Sequence, residues 1–179
     1  MTLEFVPVKL PIDQQILAGL AAEVWMDYWP DLIGAEQTIY MIEKFQSLPA
    51  ITHDMQSNNY EYWFLQTGNA TTSGWKTADG KPIAGFTGGH IDTDTNRFFI
   101  SKIYLHNTQR GKHYASRVID FYTILCKKRN LDAMYLTVNK HNNLGIRAYK
   151  GNGFVTVDST KTNIGHGFVM DDYVMEKRI

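Results

Sequence analysis

Two rhythms of apolar residues alternate along this chain. Leu3 to Lys9 alternates loosely, the pattern of a strand whose successive side chains point to opposite faces. From Asp13 the spacing lengthens. Ile16, Leu17, Leu20, Ala21, Val24 and Tyr28 recur at three- and four-residue steps, which predicts a helix stopped by Pro30. A second helix is expected from about Ala35, with Ile39, Ile42 and Phe45 on one face and an end before Pro49. A further helical turn is expected over Ala50 to Gln56. Strands then follow at Tyr60 to Gln66, Pro82 to Ile91 and Arg97 to Leu105. They are joined by turn-rich connections, Gly68 to Lys81 (with Asn69, Ser73, Gly74, Asp79 and Gly80) and Asp92 to Asn96.

After Leu105 the helical rhythm returns. Arg110-Gly111-Lys112-His113 introduces a long amphipathic helix with Ala115, Val118, Ile119, Tyr122, Leu125 and Cys126 inward. Lys127, Lys128 and Arg129 crowd its last turn, where cations suit the negative end of the helix dipole. Met134 to Val138 predicts a strand. Asn143 to Lys150 predicts a short helix closed by Gly151-Asn152-Gly153. Two final strands, about Phe154 to Asp158 and Val169 to Lys177, flank a glycine-rich turn at Ile164 to Gly167. The order is mixed: helices, then antiparallel hairpins, then one strand–helix–strand unit. The strands before and after the long helix should be parallel, because a helix returns the chain to the same sheet edge. The end of such a unit, where the strand feeds the helix, is a natural ligand site.

Length and composition fit one globular domain over residues 1–179. The single cysteine, Cys126, allows no intrachain disulfide and reads as inert packing on the inner helix face. No zinc-type Cys/His spacing is present, so no metal is expected. No secretory leader pattern opens the sequence, and no apolar run approaches the ~20 residues a bilayer needs. A cytoplasmic setting is therefore the expectation. Net charge is zero but unevenly spread: Met1 to Ser101 holds five Lys/Arg against twelve Asp/Glu, and Lys102 to Ile179 thirteen against six. Such a chain can meet a cationic ligand on one side and an anionic one on the other, or simply carry solvated charge.

Four motifs bear on chemistry. Arg110-Gly111-Lys112-His113-Tyr114-Ala115-Ser116 opens the long helix, where unpaired N–H groups and partial positive charge favour phosphate. Small residues there let an anion approach the backbone. Asp92-Thr93-Asp94-Thr95-Asn96 resembles the start of a calcium loop. It fails because Arg97 and Ile103 stand where the glycine and the closing acid are needed. Lys127-Lys128-Arg129 is explained by the helix end, and no nucleic-acid motif accompanies it.

The fourth motif runs Leu136-Thr137-Val138, then Asn142, Gly145-Ile146, Tyr149 and Gly153-Phe154. With Lys102-Ile103-Tyr104-Leu105 upstream, it resembles the GNAT superfamily of acyl-CoA-dependent N-acetyltransferases, most specifically over Phe98 to Phe154. Gly145 stands where that family more often has Ala, and His113 where it has Gly. The resemblance implies a mixed α/β fold. Its central, mostly antiparallel sheet carries one parallel strand pair splayed around CoA, with helices on both faces. It implies acetyl-CoA as cosubstrate, with Ile103 and Leu105 pairing through their backbones with the pantetheine arm. An N–H near Leu105 would polarise the thioester carbonyl, and Arg110, Gly111, Lys112, His113, Tyr114, Ala115 and Ser116 would hold the pyrophosphate. Asn142 would bond to pantetheine or order the next helix. Tyr149 would donate a proton to the departing thiolate, or else serve as a core aromatic.

The base is not visible, since Phe99 and Ser101 stand where relatives often carry an acid. His90, Asp92, His106 and His166 are candidates. The expected acceptor is a small cationic amine, motivated by the acidic first part, with Trp25, Tyr28, Trp29, Tyr62 and Trp63 as candidate pocket walls. Alternatives are acetylation of a protein N-terminus or lysine, and an acyl-CoA-binding module without turnover. By analogy with the family, a homodimer is admissible, with no nucleic-acid or membrane partner.

Overall fold

In the computed structural model, residues 3–68 and 73–179 are described; Asn69 of the long turn-rich connection lies outside them. The strands are β1 (Leu3–Pro7), β2 (Glu61–Thr67), β3 (Ile83–Asp92), β4 (Arg97–Leu105), β5 (Ala133–Asn139), β6 (Val155–Gly165) and β7 (Phe168–Arg178). They form one seven-stranded sheet in the order β1-β2-β3-β4-β5-β7-β6. The helices are α1 (Pro11–Tyr28), α2 (Pro30–Ile33), α3 (Ala35–Met41), α4 (Leu48–Ser57), α5 (Tyr114–Lys128) and α6 (Asn143–Gly151). The architecture is mixed α/β. β4 and β5 are parallel, with Arg97, Phe98 and Phe99 opposite Ala133, Met134 and Tyr135. The α5 crossover between them explains this direction. β1 with β2, β2 with β3, β5 with β7 and β6 with β7 are antiparallel.

Chain contacts divide the molecule into two compact units, residues 1–90 with 102–114 and residues 91–101 with 115–179. In the first, α1 lays Leu17, Leu20, Ala21 and Val24 against Ile51 of α4 and against Tyr62, Phe64, Ile83 and Phe86 of β2 and β3. In the second, Val118, Ile119 and Tyr122 of α5 are buried with Phe98, Met134, Leu136, Phe154 and Met175, and the Phe98 and Tyr122 rings lie 5.0 Å apart. No helix of the described residues is long and apolar enough to cross a membrane.

The helical region departs from the sequence expectation in instructive ways. α1 begins at Pro11, not Asp13, because Asp13 sits three residues inside and its carboxylate accepts from the Lys9 and Leu10 N–H groups. Pro30 ends α1 but opens α2, and Pro49 lies in the first turn of α4 behind the Ser47 cap. Proline tolerates a first turn because its missing N–H has no partner there anyway. The inward face of α3 is Thr38 and Met41, while Ile39 is 48% exposed. Residues Ile42–Gln46 form a π-helical turn, which shifts the face by one position. The last hairpin is longer than expected, with β6 reaching Gly165.

Candidate functional site

The C-terminal end of β4 leads through a short 3-10 turn, Asn107–Gln109, to the loop before α5. Two residues of that loop have left-handed backbones, Gly111 (φ 76°) and His113 (φ 59°). His113, where the resembled family has glycine, thus holds a conformation that glycine adopts most readily. Alternating backbone handedness makes successive N–H groups converge into an anion-binding concavity, and the first N–H groups of the helix that follows have no intrahelical partner. Gly111, Lys112 and His113 are exposed, and Lys112 Nζ donates to Gln109 Oε1 at 2.8 Å.

α1 grips this segment through one acidic edge. Glu23 Oε1 lies 2.8 Å from His106 Nε2, and Trp75 Nε1 donates to its other oxygen at 2.8 Å. The His106 bond is the main cause holding Glu23 below the ordinary carboxylate pKa. One turn on, Asp27 Oδ2 lies 3.0 Å from the Arg110 guanidinium, and Asn107 donates to Asp27 Oδ1 at 2.8 Å. The Arg110 guanidinium also sits over the Tyr28 ring, 5.0 Å from its centroid. Beside this edge, the Trp25 and Trp29 rings lie 5.2 Å apart, and both indole N–H groups are buried without a hydrogen-bond partner among the described residues.

Lys102, on β4, is 5% exposed. Its ammonium donates to Tyr62 Oη at 2.7 Å and to the Phe45 carbonyl at 3.0 Å, and stands 3.8 Å from Asp54 Oδ2. Tyr62 in turn donates to Asp54. Burial pulls the Lys102 pKa down to about 8 against the opposing pull of Asp54, and pushes the Tyr62 phenol far above its usual value. Sequence reasoning missed this cluster. The alternation of β4 carried the signal, since Phe98 and Ile100 are buried at two-residue steps and Lys102 continues them.

In the second unit, Asn142 caps α6, its Oδ1 accepting from the Gly145 N–H at 3.0 Å. A β-carbon on residue 145 would stand 2.8 Å from the Asn142 amide nitrogen, the far end of that side chain. Tyr149 is half-buried on α6, its ring 5.8 Å from that of Phe154, and its carbonyl accepts from the Phe154 N–H at 3.1 Å. Of the expected site residues, Ile103, Leu105 and Arg110 to Tyr114 belong to the first unit; Ala115, Ser116, Asn142 and Tyr149 belong to the second.

The candidate bases differ in how their side chains are engaged. His106 has both ring nitrogens engaged, by Glu23 and by Thr108 at 2.9 Å. Asp92 accepts from the Thr95 hydroxyl, the Asp94 N–H and the Tyr135 phenol, bonds led by Thr95 that keep its pKa low. His90 packs against Tyr60, with ring centroids 4.8 Å apart. His166 is exposed in the β6–β7 turn with φ 54°.

Residues 22–154 match the model of the acetyltransferase (GNAT) family. No curated protein sequence matches the chain. Among solved structures, the chain is similar to a PaiA N-acetyltransferase from Thermoplasma acidophilum in complex with coenzyme A, at 20% identity over 100% of both chains with a TM-score of 0.75. It is similar to a GCN5-related N-acetyltransferase from Rhodopseudomonas palustris, at 15% identity over 100% of this chain and 97% of that one, TM-score 0.74. A spermidine N-acetyltransferase SpeG chimera from Vibrio cholerae and hSSAT aligns at 16% identity over 99% and 96%, TM-score 0.67. Sequence and architecture therefore agree that the chain belongs to the GNAT family of acetyltransferases.

Proposed function

We propose that the chain transfers the acetyl group of acetyl-CoA to a primary amine of a small cationic metabolite, by direct attack within a ternary complex. The observation that carries the coenzyme half is the left-handed pair at Gly111 and His113 immediately ahead of the 15-residue α5. This backbone is suited to a diphosphate whether or not residue 113 is glycine. A structural neighbour in complex with coenzyme A supports the same reading. The acceptor half rests on the excess of acidic residues in the first hundred and on a spermidine-acetylating neighbour.

In this reading the backbones of Ile103 and Leu105 pair with pantetheine as an added strand. Residues 110–116 hold the diphosphate, and Asn142 acts by ordering α6. The amine nitrogen must arrive neutral, although a free alkylamine has a pKa of about 10.4. Its lone pair attacks the thioester carbon, and an N–H near Leu105 steadies the oxyanion. As the C–S bond breaks, Tyr149 gives its phenolic proton to the sulfur, and the extra proton lost by the new amide nitrogen returns through solvent to the phenolate. A phenol suits this task because it stays protonated at neutral pH, with a pKa of about 10.

The test is acetyl-CoA turnover against a panel of amines, read by release of the CoA thiol. Polyamines and amino sugars should turn over, and peptides with free N-termini should not. Tyr149→Phe should lower kcat by about a hundredfold or more, the lower range for a general acid, with little change in the KM for acetyl-CoA. An unchanged kcat across the pH range removes Tyr149 from the mechanism.

A further inference from the structure

We propose that Asp27 is an internal competitor for the coenzyme's diphosphate: its carboxylate occupies Arg110 until phosphate oxygens take the guanidinium over. The inference rests on the reading of residues 110–116 as the diphosphate cradle, and it names a residue of α1 that sets the strength of that site.

Each oxygen of the Asp27 carboxylate holds one residue of the segment leading to the loop, Oδ1 taking Asn107 and Oδ2 taking Arg110. Glu23, four residues earlier and so on the same face of α1, holds His106 in the same way. Two carboxylates therefore brace the approach to a site built for an anion. Glu23 has a further structural duty, since it also takes the Trp75 indole N–H. Asp27 instead spends its charge on the one arginine of the loop.

The pair can be exchanged. The Arg110 side chain is 32% exposed and that of Asp27 34%, so a ligand can reach both. An exposed ion pair of this kind is weak, whereas a guanidinium meets a phosphate through paired, charge-assisted hydrogen bonds. Tyr28 lies under the guanidinium and would keep it in place when the carboxylate lets go. Asp27 thus costs the site affinity in two ways, by occupying Arg110 and by adding negative charge beside it.

The experiment is calorimetric titration of the full chain with CoA and with pantetheine, which lacks phosphate. Asp27→Asn keeps the oxygen that Asn107 uses and removes the charge. It should tighten CoA binding by about three- to fivefold at low salt, the upper range for releasing an exposed pair. The gain should shrink as salt rises, vanish in an Arg110→Ala background, and be missing for pantetheine. Asp27→Ser should shift CoA affinity in the same direction, and thermal melts report whether each variant is folded. Unchanged or weaker CoA binding by folded Asp27→Asn overturns the proposal, as does equal tightening towards pantetheine. Failure of the wild-type chain to bind CoA overturns the coenzyme reading itself, and this inference with it.

Discussion

His113 holds a left-handed backbone, φ 59°, without being a glycine. Such a conformation costs an ordinary residue roughly 1–2 kcal/mol, because its β-carbon crowds the following carbonyl. His113→Gly should therefore raise stability by about 0.5–1 kcal/mol, after the entropy that glycine loses on folding is subtracted. For a chain of this size that is a rise of about 1–4 °C in Tm by calorimetry; a fall would show that the imidazole makes a compensating contact. At this scale the sequence spoke clearly wherever a residue type has one conformational or chemical use. Asn142, read as a ligand of pantetheine or an organiser of the next helix, caps α6, whereas the left-handed backbone at His113 was not foreseen. It was silent on partners far apart in the chain. Nothing near Arg110 announces Asp27, and nothing near Lys102 announces Asp54, because such pairs exist only once α1 and α4 have been placed.

Prolines set the ends of the helical elements, but the sequence did not say which end each one marks. Pro30 and Pro49 both open helices, since a first turn has no use for the missing N–H. The π-helical turn at Ile42–Gln46 was also illegible, because it turns on which carbonyls find partners outside the helix; that of Phe45 accepts from Lys102. The strands were read more reliably, β4 to the residue, because a two-residue alternation sharpens when one face is packed. Close approach of two strands was not legible. At Gly85 of β3, a β-carbon would stand 2.2 Å from the Tyr104 carbonyl oxygen and 3.0 Å from the Leu105 Cα, both backbone atoms of β4 that cannot swing aside. Gly85→Ala should cost about 1–3 kcal/mol, the usual range for overpacking. It should also raise the KM for acetyl-CoA by displacing β4 at Leu105. Denaturant unfolding and steady-state kinetics check the two effects separately.

For the whole molecule, folding stability carries the signature of Lys102. The folded chain releases this proton at about pH 8, and the unfolded chain near the ordinary lysine value of about 10.4. Between those values the unfolded state holds more protons, so stability rises with pH, by at most about 1.4 kcal/mol per unit. Tyr62 and Cys126 act in the opposite sense at the alkaline end, because burial raises both and the folded chain keeps protons that the unfolded chain loses. The Lys102 contribution is isolated by comparison with Lys102→Met. The stability difference between wild type and variant, followed by urea unfolding from pH 7 to 10, should move in favour of the wild type as pH rises. A flat difference would mean that the ammonium is solvated.

The sequence by itself determined the order of the strands and longer helices, the parallel crossover and the family, because these follow from local periodicity and from residues a few positions apart. The uneven charge, acidic before Lys102 and basic after it, was equally plain in composition. Only the tertiary structure decided that Arg110 is already held by a carboxylate, that Lys102 is buried beside a phenol, and that His106 has both ring nitrogens engaged. Periodicity specifies which face of an element is buried, whereas the pairing of charges depends on which elements meet, and that is settled by packing across the full length of the chain.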